Sequence, residues 1–310
     1  MKIVVVGTVA FDSIETPFGG VDRILGGSAV YISLAARFFS PEIALVGIVG
    51  GDFPPDTIES LANVGIDLTG LEVDHGGKTF AWAGRYNFDL NDRDTIATHL
   101  NVLSHFSPVV PDAFRESSIV CLGNLDPGVQ RSVLGQMRTP KLAILDTMNY
   151  WIEQTPEELR DTLGGVDCLI INDAEARQLS GEPNLVRAAA YVRRLGPHTL
   201  VIKKGEHGAL LFTDEGVFSA PAYPLEDIHD PTGAGDSFMG GFAGYLAARG
   251  DFSVESYKTA VVYGSAVASF CVEKFGPERL FEITPADIER RVDEFRMLSE
   301  IPTPASIFQA

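Results

Sequence analysis

Short runs of β-branched and aliphatic residues, apolar at every position, recur at 3–6, 44–49, 119–122, 142–145, 168–171 and 200–202. A strand that is apolar on both faces belongs inside a sheet covered on both sides, and such sheets are parallel and wrapped by helices. Between the runs lie stretches with helical periodicity, among them 29–39, 57–64, 129–137, 185–195, 235–248 and 254–271. The repeated order βαβα predicts an α/β fold, a doubly wound, mainly parallel sheet flanked by helices. No internal repeat, low-complexity tract or Ser/Gly linker interrupts the 310 residues, so one domain over 1–310 is expected.

Two segments break the rhythm. Residues 12–25 hold two extended pieces around Pro17-Phe18-Gly19-Gly20, and residues 78–100 hold the run Thr79 to Tyr86, a polar stretch at 87–94, and a second run at 95–100. Together they are expected to form a small antiparallel β lid. Phe80, Trp82 and Tyr86 alternate along it and cannot all face water without cost, which points to a homodimer through the lid. The tail from Ser299, with Pro302 and Pro304, is expected to be irregular.

The formal net charge is −18. Nucleic-acid backbones and anionic membranes both demand a basic face, so neither is an expected partner. No apolar run approaches the length of a membrane helix. Three scattered cysteines without a C-x-x-C pair fit buried thiols in a reducing, cytoplasmic compartment. The apolar start reads as a first strand rather than a signal peptide, because Asp12 and Glu15 interrupt it. The histidines show no paired metal spacing, and no G-x-S-x-G elbow, P-loop or G-x-G-x-x-G fingerprint is present.

The sharpest signal is Asp230-Pro231-Thr232-Gly233-Ala234-Gly235-Asp236, followed at once by an apolar helix. Small residues let the backbone approach a ligand, and N–H groups at a helix start attract anions. Asp236 would repel a phosphate unless it has a task, and taking a proton from an attacking hydroxyl is such a task. Capping the helix is the plainer reading of the same residue.

This cluster resembles the ATP-side signature of the ribokinase-like, or PfkB, carbohydrate kinases. The resemblance implies an anion hole at Gly233, Ala234 and Gly235 with Asp236 as base. It extends to Gly26-Gly27-Ser28-Ala29-Val30-Tyr31, which in the family lies against the substrate and carries an Asn where Tyr31 stands. Asp12 inherits the place of a family Asp that binds substrate hydroxyls, with turn capping as the alternative. Asp146-Thr147-Met148-Asn149 is similar to the family's Asp-Pro-Asn stretch, which carries Asn149 over as a substrate residue. Asn172 and Glu175 fit its Asn-x-x-Glu element, where Glu175 would hold Mg²⁺ through water; a capping box explains the same pair. Lys203, Gly205 and Gly208 stand where the family reads Thr-x-Gly-x-x-Gly near the nucleotide, and Thr232 belongs to the same side.

The resemblance implies an ATP- and Mg²⁺-dependent kinase acting on a hydroxyl of a sugar or sugar-like small molecule. Some members also use a monovalent cation, which the sequence leaves open. A nucleoside kinase of the same family is the first alternative, since Tyr31, Phe80, Trp82 or Tyr86 could stack on a base. A catalytically silent sugar-binding protein and a nicotinamide-dependent oxidoreductase are the others.

Overall fold

The computed structural model describes residues 1–91 and 93–300, so the end of the expected irregular tail lies outside the described residues. The strands are β1 (Ile3–Val6), β2 (Ala10–Thr16), β3 (Gly19–Gly26), β4 (Ile43–Gly50), β5 (Ile66–Asp74), β6 (Phe80–Tyr86), β7 (Arg93–His99), β8 (Ile119–Leu122), β9 (Leu142–Leu145), β10 (Cys168–Asn172), β11 (Thr199–Lys203), β12 (Ala209–Thr213) and β13 (Gly216–Ala220). The helices are α1 (Ser28–Ala36), α2 (Pro55–Asn63), α3 (Pro127–Gln136), α4 (Asn149–Gln154), α5 (Pro156–Leu163), α6 (Asp173–Ser180), α7 (Leu185–Arg193), α8 (Ala234–Arg249), α9 (Val254–Cys271), α10 (Glu278–Glu282) and α11 (Pro285–Ser299).

Nine strands form one sheet in the order β13-β12-β11-β10-β9-β8-β1-β4-β5. Pairing is parallel from β11 to β5, and β12 and β13 add an antiparallel edge. Alternate residues feed two cores. Ile3, Val5, Cys121, Ile144 and Ile170 pack with α1, α8 and α9, whereas Val4, Val6, Val120, Leu145 and Ile171 pack with α3, α5, α6 and α7. Burial on both faces is why these strands read as unbroken apolar runs.

Three strands of this sheet were not among the expected runs, although β12 is apolar from Ala209 to Phe212. β5 alternates apolar and polar residues and is half exposed at the sheet edge, while β12 and β13 form a hairpin whose register closes from Thr213 to Gly216. The three free cysteines are all buried. Among the described residues no helix is long and apolar enough to cross a membrane.

A second sheet has the order β3-β2-β6-β7. It consists of two antiparallel hairpins, β2–β3 and β6–β7, joined by parallel pairing of β2 with β6. The segments 12–25 and 78–100 thus share one sheet, entered directly from the end of β1.

Candidate active site

The parallel strands all end on one side of the large sheet, and their next residues meet there. Asp146 follows β9, Asn172 ends β10 and Lys203 ends β11, the last two in direct register. This is the crevice outside the carboxyl ends of the strands, where open α/β sheets bind ligands. Lys203 Nζ lies 3.8 Å from Asp146 Oδ1, and both side chains are mostly buried. Burial raises the Asp146 carboxyl while the Lys203 charge pulls it back.

Asn172 and Glu175 form a complete capping box at the start of α6. Asn172 Oδ1 accepts from Glu175 N at 2.8 Å, and Glu175 Oε2 accepts from Asn172 N at 2.8 Å. The capping reading is therefore realised. Glu175 nevertheless faces the cluster: it is pushed up to about 7, first by burial and then by the Asp146 charge.

Opposite stands the first turn of α8. Asp230, wholly buried, accepts from Thr232 N at 2.8 Å through Oδ1 and from Gly276 N at 2.9 Å through Oδ2. It clamps the turn to the late loop that follows α9. Gly233 has φ of 77°, a left-handed conformation that favours glycine, and a Cβ there would also collide with the Tyr31 ring. The N–H of Ala234 is taken up by Pro231 O at 3.2 Å. Among the described residues the N–H of Gly235 has no acceptor, and a Cβ on Gly235 would lie 2.6 Å from Lys203 Nζ. Of the three residues expected to form an anion hole, Gly235 thus keeps its amide without an acceptor among the described residues, while Ala234 closes the turn and the following Ser237 N donates to Gly233 O at 2.8 Å.

Asp236 sits in that first turn. The α8 N-cap is Gly233 and has no side-chain cap, and Asp236 Oδ1 is shielded from solvent without a hydrogen-bond partner. Capping does not account for this carboxylate. It is pushed up to about 7 by burial first and by the Asp146 charge second, with Lys203 acting in the other direction.

The third wall comes from β2 and the small sheet. Asp12 is 5% exposed, lies directly against Gly26, and accepts from the Gly27 N–H. Burial and the Asp230 charge push it up to about 7, against the pull of that amide and of Arg93. In register with Asp12 is Trp82, whose ring covers Gly84; a Cβ on Gly84 would collide with it. Tyr86 is buried, and its hydroxyl accepts from Thr232 Oγ1 at 3.1 Å. Asn91, in the β6–β7 connection, lies against Gly205. The small sheet is therefore shut onto the phosphate-side loops at two points.

These positions revise several expectations. Phe80, Trp82 and Tyr86 share the strand face that carries Asp12, so the aromatic stripe faces the cleft. Ser28 is occupied inside the fold: its hydroxyl accepts from Thr8 N at 3.1 Å, and its N–H donates to Thr8 Oγ1 at 2.9 Å. Tyr31 is 1% exposed, with its ring under Gly233 and its hydroxyl unpartnered. It shapes the phosphate turn and presents no open face to an acceptor. Asn149 is exposed on the first turn of α4 and makes no hydrogen bond among the described residues. Gly208 lies against the end of β13 and completes the turn after Lys203.

The geometry also adds Asp146, Asp230, Tyr86 and Arg93. Asp230 had a local signal, since an Asp two residues before Thr232 forms an Asx turn. Arg93 had none, because only the pairing of β7 with β6 and of β6 with β2 brings it here, whereas Tyr86, named above as a residue that could stack on a base, here meets Thr232.

Residues 2–283 match the pfkB family carbohydrate kinases. The cytidine kinase of Thermococcus kodakarensis is 27% identical over 255 residues, which are 80% of this chain and 90% of the relative. The 2-dehydro-3-deoxygluconokinase of Thermoproteus tenax is 25% identical over 252 residues, 71% of this chain and 72% of the relative. Among solved structures, the nucleoside kinase of Methanocaldococcus jannaschii, an archaeal member of the ribokinase family, superposes with a TM-score of 0.77 at 20% identity, covering 95% of this chain and 99% of its own. The fold is ribokinase-like, and with the match running from β1 to α10, the chain belongs to the pfkB family of carbohydrate kinases.

Proposed function

We propose that the protein transfers the γ-phosphoryl group of ATP to a hydroxyl on the pentose of a nucleoside, with Asp236 as general base. The observation that carries this is Asp236 itself, a solvent-shielded carboxylate oxygen with no hydrogen-bond partner at the mouth of an anion-binding helix start. A base poised near neutrality suits an alcohol acceptor. Asp12, held by the Gly27 amide against Gly26, is placed to orient the sugar.

A free sugar or sugar-like acceptor was the first expectation from sequence. Trp82, in register with Asp12 and packed against Gly84, favours a base beside the sugar, because an aromatic ring offers a planar apolar partner with a definite stacking geometry. The cytidine kinase and nucleoside kinase names of two relatives agree with this reading.

In the transfer, the acceptor oxygen bonds to the γ-phosphorus as the bond to the bridging oxygen breaks, and its proton passes to Asp236. The Gly235 amide and the α8 dipole hold the phosphoryl oxygens, and Lys203 neutralises their charge. Mg²⁺ fits the residues present: among the described residues no cluster of three side chains could hold a metal ion by itself, but Mg²⁺ keeps its waters and takes one or two protein oxygens beside phosphates. Asp146, whose Oδ1 has no hydrogen-bond partner, and Glu175 would hold those waters. The ion would supply charge neutralisation on the phosphates. A monovalent cation has no specific support here.

The test is ADP release over a panel of nucleosides, pentoses, hexoses and polyols, with Asp236→Asn as control. A nucleoside should be the best acceptor, and the variant should lose about 10² to 10⁴ in kcat without melting earlier. A variant within about threefold of wild type would remove Asp236 from the mechanism.

A further inference from the structure

We infer that Arg93, carried by the small sheet, donates hydrogen bonds to the phosphoryl group as it passes from ATP to the acceptor, and is a catalytic residue of the transfer. The inference rests on the kinase reading above and adds a residue to which none of the sequence motifs points.

Three contacts locate the side chain. Arg93 is the direct cross-strand partner of Tyr86, so it shares the face that closes on the cleft. The Tyr86 hydroxyl meets Thr232 of the phosphate turn at 3.1 Å, and the Arg93 charge acts on that same hydroxyl. The guanidinium carbon lies 5.7 Å from the Trp82 ring centroid, beside the acceptor wall. Arg93 thus stands exposed on the small-sheet wall, beside the tyrosine that meets the phosphate turn and the tryptophan in register with Asp12.

The charges around it have one gap. Asp12, Asp146, Glu175 and Asp236 crowd the cleft, and each of the four feels the Arg93 charge. Lys203, a second cation of the cleft, is paired with Asp146 at 3.8 Å. Arg93 has no carboxylate at ion-pair distance among the described residues. A guanidinium carried on the small-sheet wall, facing four carboxyls and paired with none, is matched to an anion that enters the cleft. In phosphoryl transfer that anion is the moving group, with charge on three equatorial oxygens that a planar fork of donors can engage two at a time. Arg93 neither gives nor takes a proton in the step, since it stays charged throughout. The new oxygen–phosphorus bond forms as the bridging bond breaks, and Asp236 receives the acceptor proton.

The experiment uses the full chain with ATP, Mg²⁺ and the best acceptor of the panel, comparing wild type, Arg93→Ala, Arg93→Lys and Asp236→Asn. Arg93→Ala should lower kcat by about 10² to 10³ with both KM values within about threefold, and added guanidinium should restore part of the loss. ADP affinity should be unchanged, whereas the tightening of ADP binding by aluminium fluoride and acceptor should vanish in Arg93→Ala. Arg93→Lys should stay well below wild type, because an ammonium lacks the fork. Full kcat in Arg93→Ala beside an inactive Asp236→Asn overturns this inference and leaves the kinase reading standing. So does a raised KM confined to an anionic acceptor with kcat intact, which would make Arg93 an acceptor-binding residue. Wild type releasing no ADP with any acceptor sinks the kinase reading itself.

Discussion

The ring of Tyr31 lies beneath Gly233, closely enough that any Cβ at that glycine would run into it. Tyr31 therefore supports the phosphate turn from below, and its hydroxyl, buried without a partner, contributes little to that support. Tyr31→Phe should retain turnover and melt at or above the wild-type temperature, since it removes an unsatisfied polar atom. Tyr31→Asn should empty the space under the turn and destabilise the protein by about 3 kcal/mol or more, with kcat falling alongside. Urea unfolding of the two variants checks the pair, and equal loss in both would contradict the packing role.

Glu175 closes the capping box of α6 and, in the proposed mechanism, also faces the Mg²⁺ water shell, so its substitutions should separate the two tasks. Glu175→Gln keeps a side chain that a capping box accepts, and the melting temperature should stay within a few degrees. Its Mg²⁺ requirement should rise, because the charge facing the water shell is gone. Glu175→Ala should additionally lose about 1 kcal/mol of stability from the broken cap. Thermal melts with a Mg²⁺ titration of activity read both effects; an unchanged Mg²⁺ requirement in Glu175→Gln would leave capping as its whole role.

The carboxyls of Asp12, Glu175 and Asp236 each sit at about 7, raised first by burial. A carboxyl raised on folding binds more protons in the folded chain than in the unfolded one. Its contribution to stability is complete below the unfolded value, near 4, and is lost as pH rises through about 7. The ligand-free protein should therefore melt at a higher temperature at pH 5 than at pH 8. Asp236→Asn should flatten that slope, while wild-type kcat should climb with pH through the same region as the base loses its proton. Melting curves rising from pH 5 to pH 8 would contradict the account.

Gly84 gives the Trp82 ring its resting place. Gly84→Ala should tilt the ring away from Asp12 and raise the acceptor KM by up to about tenfold, a magnitude set by the worth of one aromatic contact, with the ATP KM unchanged. Steady-state kinetics in both substrates test this. A rise in the ATP KM alone would assign the small sheet to the nucleotide.

What the sequence made legible follows from how locally each feature is encoded. β1 and β8 to β11 are apolar on both faces, so burial writes itself into consecutive residues. The cluster from Asp230 to Asp236 is contiguous, so a tight turn running straight into a helix start could be read from it at once. β5 escaped notice because an edge strand needs only alternate apolar residues. The capping box of Asn172 and Glu175 was one of two readings, since one spacing of Asn and Glu encodes both a cap and a phosphate-side element. Tyr31 read as an acceptor residue because its position in the Gly26-Gly27 motif says nothing of the helix start stacked above it. Arg93 was silent for a stronger reason: it reaches the cleft only because β6 lies beside β2, and that pairing has no local signature.

That same pairing sets when each part of the molecule takes shape. Asp12 and Trp82 are neighbours in the small sheet, yet β3, α1, β4, α2 and β5 intervene between them along the chain. Closing so long a loop is an entropic cost best met after β1, β4 and β5 have already aligned in the large sheet. The small sheet is then the last unit to assemble and the first to let go. Its amides should exchange with solvent well before those of β1 or β8, and the molecule reaches the unfolded ensemble through a state whose cleft is already open.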